Sequence, residues 1–168
     1  IIGTGRIGIR TAELATAFHC NLIAWSNSEK ETFVQLGGVY KKTIDEVFKE
    51  ADIISVHLPL NDKTKGIIDI NLLSLMKKTA YLVNVARGPI VRSHDLAEAL
   101  KQGTIAGAAV DVFDQEPITS DNPLLKAPNV ILTPHIAYKT EEALIKRAEI
   151  TIDNIKAFVN GKPQNVIV

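Results

Sequence analysis

Short apolar segments alternate with helical patterns along the whole chain. Several of these segments are continuous apolar runs, which is typical of strands buried on both faces of a parallel sheet. The predicted strands are Ile1-Ile2, Asn21–Trp25, Ile53–Leu58, Ala80–Val85, Ile105–Val112 and Val130–Thr133, with a shorter one at Val39-Tyr40. Strands and helices that alternate at this spacing predict right-handed βαβ units. The fold class is therefore α/β, with a doubly wound parallel sheet.

Several helices carry their own start and stop signals. Ser28-Glu29-Lys30-Glu31 and Thr43-Ile44-Asp45-Glu46 both have the capping-box pattern, in which a hydroxyl residue is followed three positions later by Glu. Ser93 precedes a helix predicted over residues 94–102, and Gly103 is placed to end it. A long last helix is predicted from the apolar stripe Leu144, Ala148, Ile152, Ile155 and Val159.

Composition excludes several classes of protein. The 168 residues are 46% hydrophobic and 23% charged, which excludes an intrinsically disordered chain. Lys plus Arg equals Asp plus Glu at 19 each, so we expect no nucleic-acid partner. No apolar run approaches the ~18 residues of a membrane span, and we expect no membrane partner. The lone Cys20 predicts a reducing, cytoplasmic location, and we expect no metal site.

The chain starts inside a predicted strand, at Ile1-Ile2, with no methionine and no polar lead-in. We therefore expect residues 1–168 to be one domain of a larger protein.

A glycine-rich turn follows the first strand directly. Gly3-Thr4-Gly5-Arg6-Ile7-Gly8 fits G-x-G-x-x-G and leads into a helix through about Phe18. The glycines permit a tight turn, close approach of a pyrophosphate, and packing of helix on strand. The helix N-terminus adds N–H donors and partial positive charge. This strand–turn–helix context favours a Rossmann-type dinucleotide site over a merely structural turn.

The end of the second strand lacks the acidic residue that usually binds the ribose of NAD. Ser26 stands there, followed by Asn27 and Ser28, which would not repel a 2′-phosphate. Lys30 is the nearest cation and Glu29 partly offsets it. The choice between NAD and NADP stays open.

Three charged residues follow three successive apolar strands. Arg87 follows residues 81–86, Glu116 follows residues 108–113, and His135 follows residues 129–132. Open α/β sheets bind their ligands at the carboxyl ends of the strands. Each residue alone is compatible with an ordinary surface loop, but three complementary groups in this order indicate a catalytic site.

These motifs are the ones by which the chain resembles a known family. It is similar over essentially its whole length to the nucleotide-binding domain of D-isomer-specific 2-hydroxyacid dehydrogenases. The resemblance rests on residues 3–8, on His57-Leu58-Pro59-Leu60 with Thr64 and Gly66, and on residues 84–88, 111–117 and 133–137.

The resemblance implies a role for each matching residue. His135 matches the acid/base, Glu116 the carboxylate paired with it, and Arg87 the substrate-binding arginine. Asp111 matches the residue at the nicotinamide end, and Arg6 and Ile7 match the pyrophosphate contacts. The full set of expected cofactor-binding residues is Gly3, Gly5, Arg6, Ile7, Gly8, Ser26, Leu58, Pro59, Thr64, Val85, Ala86, Arg87, Asp111, His135 and Ala137.

The resemblance also implies an activity and its partners. The expected reaction is hydride transfer between NAD or NADP and a small 2-oxo or 2-hydroxy acid, in a homodimer whose substrate domain is absent from this chain. Two alternatives remain. One is a dinucleotide-sensing or corepressor-like binding module, because such proteins resemble the same family. The other is a formate- or phosphite-oxidising relative, although Glu116 argues against a formate enzyme, which typically carries an amide there.

Overall fold

Parallel strands form the centre of the fold in this computed structural model, which describes residues 1–167. One sheet has the order β3-β4-β5-β6, and β1 pairs with β2 beside it, all in parallel. The strands are β1 (Ile23–Ala24), β2 (Val39–Tyr40), β3 (Ile53–Val56), β4 (Tyr81–Asn84), β5 (Gly107–Val110) and β6 (Val130–Leu132). This arrangement confirms the predicted α/β class, with strands shorter than the apolar runs suggest.

Ile2 joins the two sheets. It forms parallel bridges to Trp25 on one side and to Val56 on the other. The Ile2 amide donates to the Ser55 carbonyl at 2.9 Å, and the Gly3 amide donates to the Trp25 carbonyl at 2.9 Å. From Ile2 the chain crosses to β1 and β2 on one side, and later returns to β3 on the other. Ile2 is therefore the point where strand order reverses, which is where open α/β sheets form a ligand crevice.

Helices connect the strands. They are α1 (Arg6–Ala17), α2 (Glu31–Gln35), α3 (Ile44–Glu50), α4 (Ile70–Leu75) and α5 (Ser93–Lys101), with short 3-10 helices at Gly88–Ile90 and Pro123–Lys126. The capping box at Thr43 is confirmed, because its hydroxyl accepts from the Glu46 amide and the Glu46 side chain accepts from the Thr43 amide. Gly103 follows α5 with φ +65°, as expected for a helix stop.

The predicted cap at Ser28 is wrong. Helix α2 begins at Glu31 and its N-cap residue, Lys30, makes no side-chain cap hydrogen bond. Tertiary contacts occupy this segment instead, because the Lys30 amide donates to the Tyr40 hydroxyl at 2.9 Å. Helix α4 was not predicted. The side chain of Asp69 caps it by accepting from the amides of Asn71 and Leu72.

The main hydrophobic core surrounds β3, β4 and β5. Ile54, Leu82 and Val110 are buried there, as is Phe48 of α3. A smaller cluster packs α1 and α2 against β1, with Ala12, Leu22, Ala24 and Phe33 at its centre. The two clusters hold the strands rigidly in register, so the loops at their carboxyl ends start from fixed positions.

Contacts divide the chain into two units, Ile1–His135 and Ile136–Val168. The second contains α6 (Glu141–Val159), which Thr140 caps by accepting from the Ala143 amide. The predicted last helix is confirmed, but none of its residues is buried in the described chain. Ile152, Ile155 and Val159 of the predicted stripe are 51%, 59% and 77% exposed. None of the helices described over residues 1–167 is long and apolar enough to cross a membrane.

Candidate functional site

A cleft opens at the carboxyl ends of the strands next to the point of strand reversal. Its cavity measures about 460 Å³. It is lined by Ile7, His57, Leu58, Pro59, Leu60, Val85, Ala86 and Arg87. Six of the residues predicted to bind the cofactor therefore line one cavity, namely Ile7, Leu58, Pro59, Val85, Ala86 and Arg87, the last of which is also the predicted substrate-binding arginine.

The glycine turn lies beside this cavity, and a different structural constraint applies at each of its three glycines. Gly3 has φ +96°, where a side chain would be strained. A Cβ at Gly8 would lie 2.1 Å from the Gly3 carbonyl oxygen, so α1 packs directly on the turn. A Cβ at Gly5 would meet nothing within 4 Å, so the space above it is open.

The start of α1 fits an anionic group. The helix begins at Arg6, its N-cap Gly5 supplies no side-chain cap, and its first turn contains no acidic residue. The first N–H groups of a helix need acceptors from outside the helix, and they carry the positive end of the helix dipole. Open space above Gly5 lets the phosphates of a dinucleotide reach these donors.

Ser26, two residues after β1, lies against the same turn. Its Oγ accepts from the Thr4 amide at 3.4 Å. Thr4 is buried, and its hydroxyl accepts from the Tyr40 hydroxyl at 2.8 Å. Tyr40 in turn accepts from the Lys30 amide at 2.9 Å. These bonds fix the residue expected at the cofactor ribose relative to the phosphate turn.

Behind the loop that follows β3, Thr64 is buried and does not line the cavity. Its hydroxyl donates to the Pro59 carbonyl at 2.6 Å and accepts from the Asn61 amide at 2.9 Å. Thr64 therefore shapes the segment that carries Leu58 and Pro59.

His57 ends the same strand and lines the cavity. Its Nε2 lies 2.8 Å from Ser55 Oγ. Burial is the main cause that lowers the pKa of His57 from 6.5 to about 4. The ring is therefore neutral at pH 7 and presents polarity without charge to the cleft.

Arg87 follows β4 in a loop that the buried Asn84 side chain organises. The Asn84 amide group accepts from the Ala86 amide at 3.1 Å and donates to the Arg87 carbonyl at 3.2 Å. Gly88 comes next, where a Cβ would lie 2.0 Å from the carbonyl carbon of Phe113. This close approach brings the ends of β4 and β5 together, while the guanidinium stays exposed and donates to the Ala86 carbonyl at 2.7 Å.

Glu116 and His135 form a pair. His135 Nδ1 lies 2.6 Å from Glu116 Oε2, and Glu116 Oε1 accepts from the Phe113 amide at 3.0 Å. The hydrogen bond from the His135 ring is the main cause that lowers the pKa of Glu116 below its ordinary value. The Phe113 amide and the charge of Arg87 act in the same direction. Glu116 is thus held as a carboxylate that fixes the imidazole ring.

His135 adopts φ +54°, an unusual backbone conformation for a residue other than glycine. Its amide donates to the Thr133 carbonyl at 3.0 Å, and this bond closes a tight turn around Pro134. A strained conformation held by local bonds is typical of functional sites, because it aims a side chain where regular structure would not.

Asp111 directly follows β5 and is buried, with 4% of its surface exposed. Its Oδ1 accepts from the Thr133 hydroxyl at 2.6 Å. Its amide donates to the Asn84 carbonyl at 3.0 Å. Asp111 is therefore fixed between the end of β4 and the end of β6.

Ala137, also predicted to bind the cofactor, belongs to the second unit and is exposed.

The first unit thus contains a glycine-rich turn with an uncapped helix start, a partly apolar cavity, an exposed guanidinium and a carboxylate–imidazole pair. The family model for the NAD binding domain of D-isomer specific 2-hydroxyacid dehydrogenases matches residues 1–137. The chain belongs to this family. The matched range ends close to the boundary of the first unit, and the family's domain is an NAD-binding one.

This chain is also similar to individual members of the dehydrogenase family. Glyoxylate reductase of Aeropyrum pernix is 43% identical over 99% of this chain and 50% of its own length. D-lactate dehydrogenase of Aquifex aeolicus, solved with NAD and lactic acid, is 37% identical with a TM-score of 0.89, over 96% of this chain and 53% of its own. An acyclic imino acid reductase solved with NADPH and D-Arg is 37% identical with a TM-score of 0.87, over 99% of this chain and 52% of its own. The chain spans about half the length of the relatives it matches.

Three residues of this dehydrogenase domain were missed as site residues by sequence reasoning. His57 was noted beside Pro59 without a role, Thr133 was noted as a strand end and as part of the 133–137 motif without a role of its own, and Tyr40 was noted only as a strand residue. A signal existed for Thr133, because it stands at a strand end two positions before His135. No local pattern singles out Tyr40, whose hydroxyl reaches Thr4 from 36 residues away.

Proposed function

We propose that this domain binds NAD(H) or NADP(H) and carries Arg87, Glu116 and His135 for hydride transfer between the cofactor and a small 2-oxo or 2-hydroxy acid. The observation that carries the proposal is the 2.6 Å contact between His135 and Glu116 at the strand end next to the Arg87 loop. The whole enzyme is proposed to be a D-2-hydroxyacid dehydrogenase of the relatives' length, with this chain as its cofactor domain.

The chemistry of a 2-oxo acid suits these side chains. Such a substrate has a carboxylate next to a ketone, and the planar guanidinium of Arg87 binds the carboxylate and polarises the ketone oxygen. The reduced nicotinamide supplies the hydride. Negative charge grows on the substrate oxygen, and protonated His135 donates a proton to it through Nε2, since Nδ1 faces Glu116. In the oxidative direction the neutral ring accepts that proton.

Glu116 is proposed to act on His135 rather than on substrate. Its two oxygens hold the Phe113 amide and the His135 ring. Contact with Nδ1 sets the orientation of the ring, and the negative charge stabilises the imidazolium that must form when a hydroxy acid is oxidised. The carboxylate is thus a fixed partner, comparable to the acid of a hydrolase triad.

The choice between NAD and NADP follows from Ser26 in this proposal. The position carries no charge that would repel a 2′-phosphate, so we expect both cofactors to bind with weak discrimination. The relatives support this range, since the solved D-lactate dehydrogenase holds NAD and the imino acid reductase holds NADPH. A homodimer and a cytoplasmic location are also proposed, because two-fold association is common among soluble enzymes and the single cysteine, Cys20, is free.

The test separates binding from turnover. Calorimetry with NADH and NADPH is expected to show binding by the 168-residue chain, because the phosphate turn is complete. Reduction of glyoxylate or hydroxypyruvate by this chain is expected to be slight, because chemistry needs the closure that a second domain supplies.

In the full-length protein, turnover is expected, and His135→Gln should lower it by about 10²–10⁴-fold while NADH affinity changes far less. A chain that binds neither NADH nor NADPH would contradict the proposal. Tight binding by the full-length protein with no turnover of any 2-oxo acid would favour the dinucleotide-sensing alternative.

A further inference from the structure

Thr133 makes three directional hydrogen bonds at the end of β6. Its amide donates to the Val110 carbonyl at 3.0 Å and so extends the pairing with β5. Its hydroxyl donates to Asp111 Oδ1 at 2.6 Å, and its carbonyl accepts from the His135 amide at 3.0 Å. One residue thus contacts both the carboxylate expected at the nicotinamide and the loop of the proposed acid/base.

Of these three bonds, only the one to Asp111 uses the Thr133 side chain, so strand pairing and the turn do not account for it. Asp111 is almost fully buried, and a buried carboxylate must be held by hydrogen-bond donors. A short bond from a hydroxyl to one carboxylate oxygen fixes the rotation of the carboxylate about its Cβ–Cγ bond. The direction of the second oxygen is then fixed as well.

We propose that the Thr133 hydroxyl is a positioning group for the nicotinamide half of the cofactor, acting by orienting the Asp111 carboxylate. This inference rests on the proposed function. The carboxamide of a nicotinamide carries an NH₂ donor, and an oriented carboxylate is a matching acceptor. Thr133 itself touches Asp111 and not the cofactor, so it is a positioning residue.

The same residue links the cofactor side of the site to His135 through the main chain. Because the bond to His135 uses the Thr133 carbonyl, a change of side chain leaves it in place. Loss of the hydroxyl is therefore expected to act on the cofactor and not on the Glu116–His135 pair. A general loosening of the strand end would act on both.

The experiment compares NADH with ADP-ribose, which lacks the nicotinamide, on the chain and its variants by calorimetry. Thr133→Val keeps the shape of the side chain and removes the donor. It is expected to raise the Kd for NADH about tenfold and to leave the Kd for ADP-ribose within about twofold, since tenfold corresponds to ~1.4 kcal/mol, a typical value for one hydrogen bond. Thr133→Ser restores the hydroxyl and should bring NADH affinity back to within about threefold of the wild type.

Thr16→Val serves as the matched control, since it removes a threonine hydroxyl from α1 that bonds only the Ala12 carbonyl. It should change neither Kd. Equal weakening of NADH and ADP-ribose in Thr133→Val, or failure of Thr133→Ser to restore NADH binding, would overturn the inference. Unchanged NADH affinity in Thr133→Val would overturn it too, whereas a wild-type chain that binds neither ligand would contradict the proposed function itself.

Discussion

The two ends of the cleft are built in different ways. The phosphate end is the Gly3–Gly8 turn with the start of α1, where main-chain amides and missing side chains create the site. The chemical end consists of Arg87, Asp111, Glu116 and His135, where charged side chains meet from loops after β4, β5 and β6. In the proposed function, the phosphate end binds a group present in every dinucleotide, while the chemical end selects the reaction.

This difference predicts how the two ends respond to substitution. At the phosphate end, fold and binding are expected to depend together on Gly8, because α1 packs there directly on the Gly3 carbonyl of the turn proposed to hold the anion, whereas Gly5 faces open space. At the chemical end, Arg87 and Glu116 are exposed and His135 is half-buried, so these three side chains can be changed with little cost to the fold, whereas Asp111 is buried. Substitution of Arg87, Glu116 or His135 should therefore lower turnover with little change in stability. Substitution of Gly8 should lower both stability and cofactor binding.

The largest expected effect is at the chemical end. His135→Gln in the full-length protein should lower kcat for 2-oxo acid reduction by about 10²–10⁴-fold, since it removes the group proposed to transfer the proton. The Kd for NADH and the melting temperature should change little, because the side chain is about 38% exposed. Steady-state kinetics and fluorescence titration with NADH measure the two quantities. If NADH affinity fell by as much as kcat, the expectation that this side chain serves turnover rather than binding would be wrong.

At the phosphate end, two glycine substitutions should differ sharply. Gly8→Ala places a methyl 2.1 Å from the Gly3 carbonyl oxygen, so main chain must move. We expect a loss of about 3 kcal/mol in the free energy of unfolding, at the upper end for overpacking, together with loss of NADH binding. Urea denaturation and calorimetry measure both.

Gly5→Ala is the matched variant, because its methyl meets nothing within 4 Å and its φ of −71° suits alanine. Stability should stay close to that of the wild type while NADH binding weakens, since the methyl fills the space through which a pyrophosphate approaches the helix. Unchanged NADH affinity in Gly5→Ala would show that the phosphates lie elsewhere.

Cofactor choice gives a smaller effect at the phosphate end. Ser26→Asp should shift preference towards NADH by ~1–3 kcal/mol, because a carboxylate binds the ribose hydroxyls and repels a 2′-phosphate. The ratio of Kd values for NADH and NADPH at one ionic strength measures the shift. Ser74→Asp on the exposed face of α4 adds the same charge as a control. A wild-type preference for NADH above about a hundredfold, or ~2.7 kcal/mol, would refute this interpretation of Ser26.

The smallest effect concerns His57, which lies between the two ends. Its pKa of about 4 in the fold lies below its ordinary 6.5, so between these values the unfolded chain binds more protons and stability falls as pH falls. His57→Gln should remove up to about one proton from the pH dependence of the unfolding free energy between pH 4 and 6.5. Urea denaturation at several pH values measures it. His94→Gln, at a side chain that is 85% exposed and outside the cleft, is measured alongside as a control for replacing a histidine by glutamine.

Local signals predicted the elements whose bonds are also local. The capping box at Thr43 and the stop at Gly103 were correct, because each depends on residues within one helical turn. The pattern at Ser28 has the same residue types at the same spacing, yet the helix begins at Glu31 and its N-cap is Lys30, two residues beyond the predicted one. There the Tyr40 hydroxyl takes the Lys30 amide, a contact that no short sequence window contains.

Helix α4 is an element that the local sequence pattern does not predict, although it forms. Its six residues are too few to show a clear helical period, so the apolar pattern does not predict it. Asp69 caps it locally, but the Ile70 amide also donates to the carboxylate of Asp95, 25 residues further on. A short helix of this kind is stabilised mainly by its tertiary contacts, since isolated helices of this length are marginal in water.

The sequence by itself determined the α/β class, the strand–turn–helix of Gly3–Gly8, and the presence of Arg87, Glu116 and His135 after successive strands. These follow from apolar periodicity, from glycine geometry and from the rule that parallel strands end at one edge. Only the tertiary structure decided that His135 Nδ1 meets Glu116 Oε2, that the Thr133 hydroxyl bonds Asp111, and that Tyr40 reaches Thr4. Hydrogen bonds depend on distances of a few tenths of an ångström and on direction. Strand register, tight turns and close approaches such as Gly88 against Phe113 set those distances, and no linear pattern contains them.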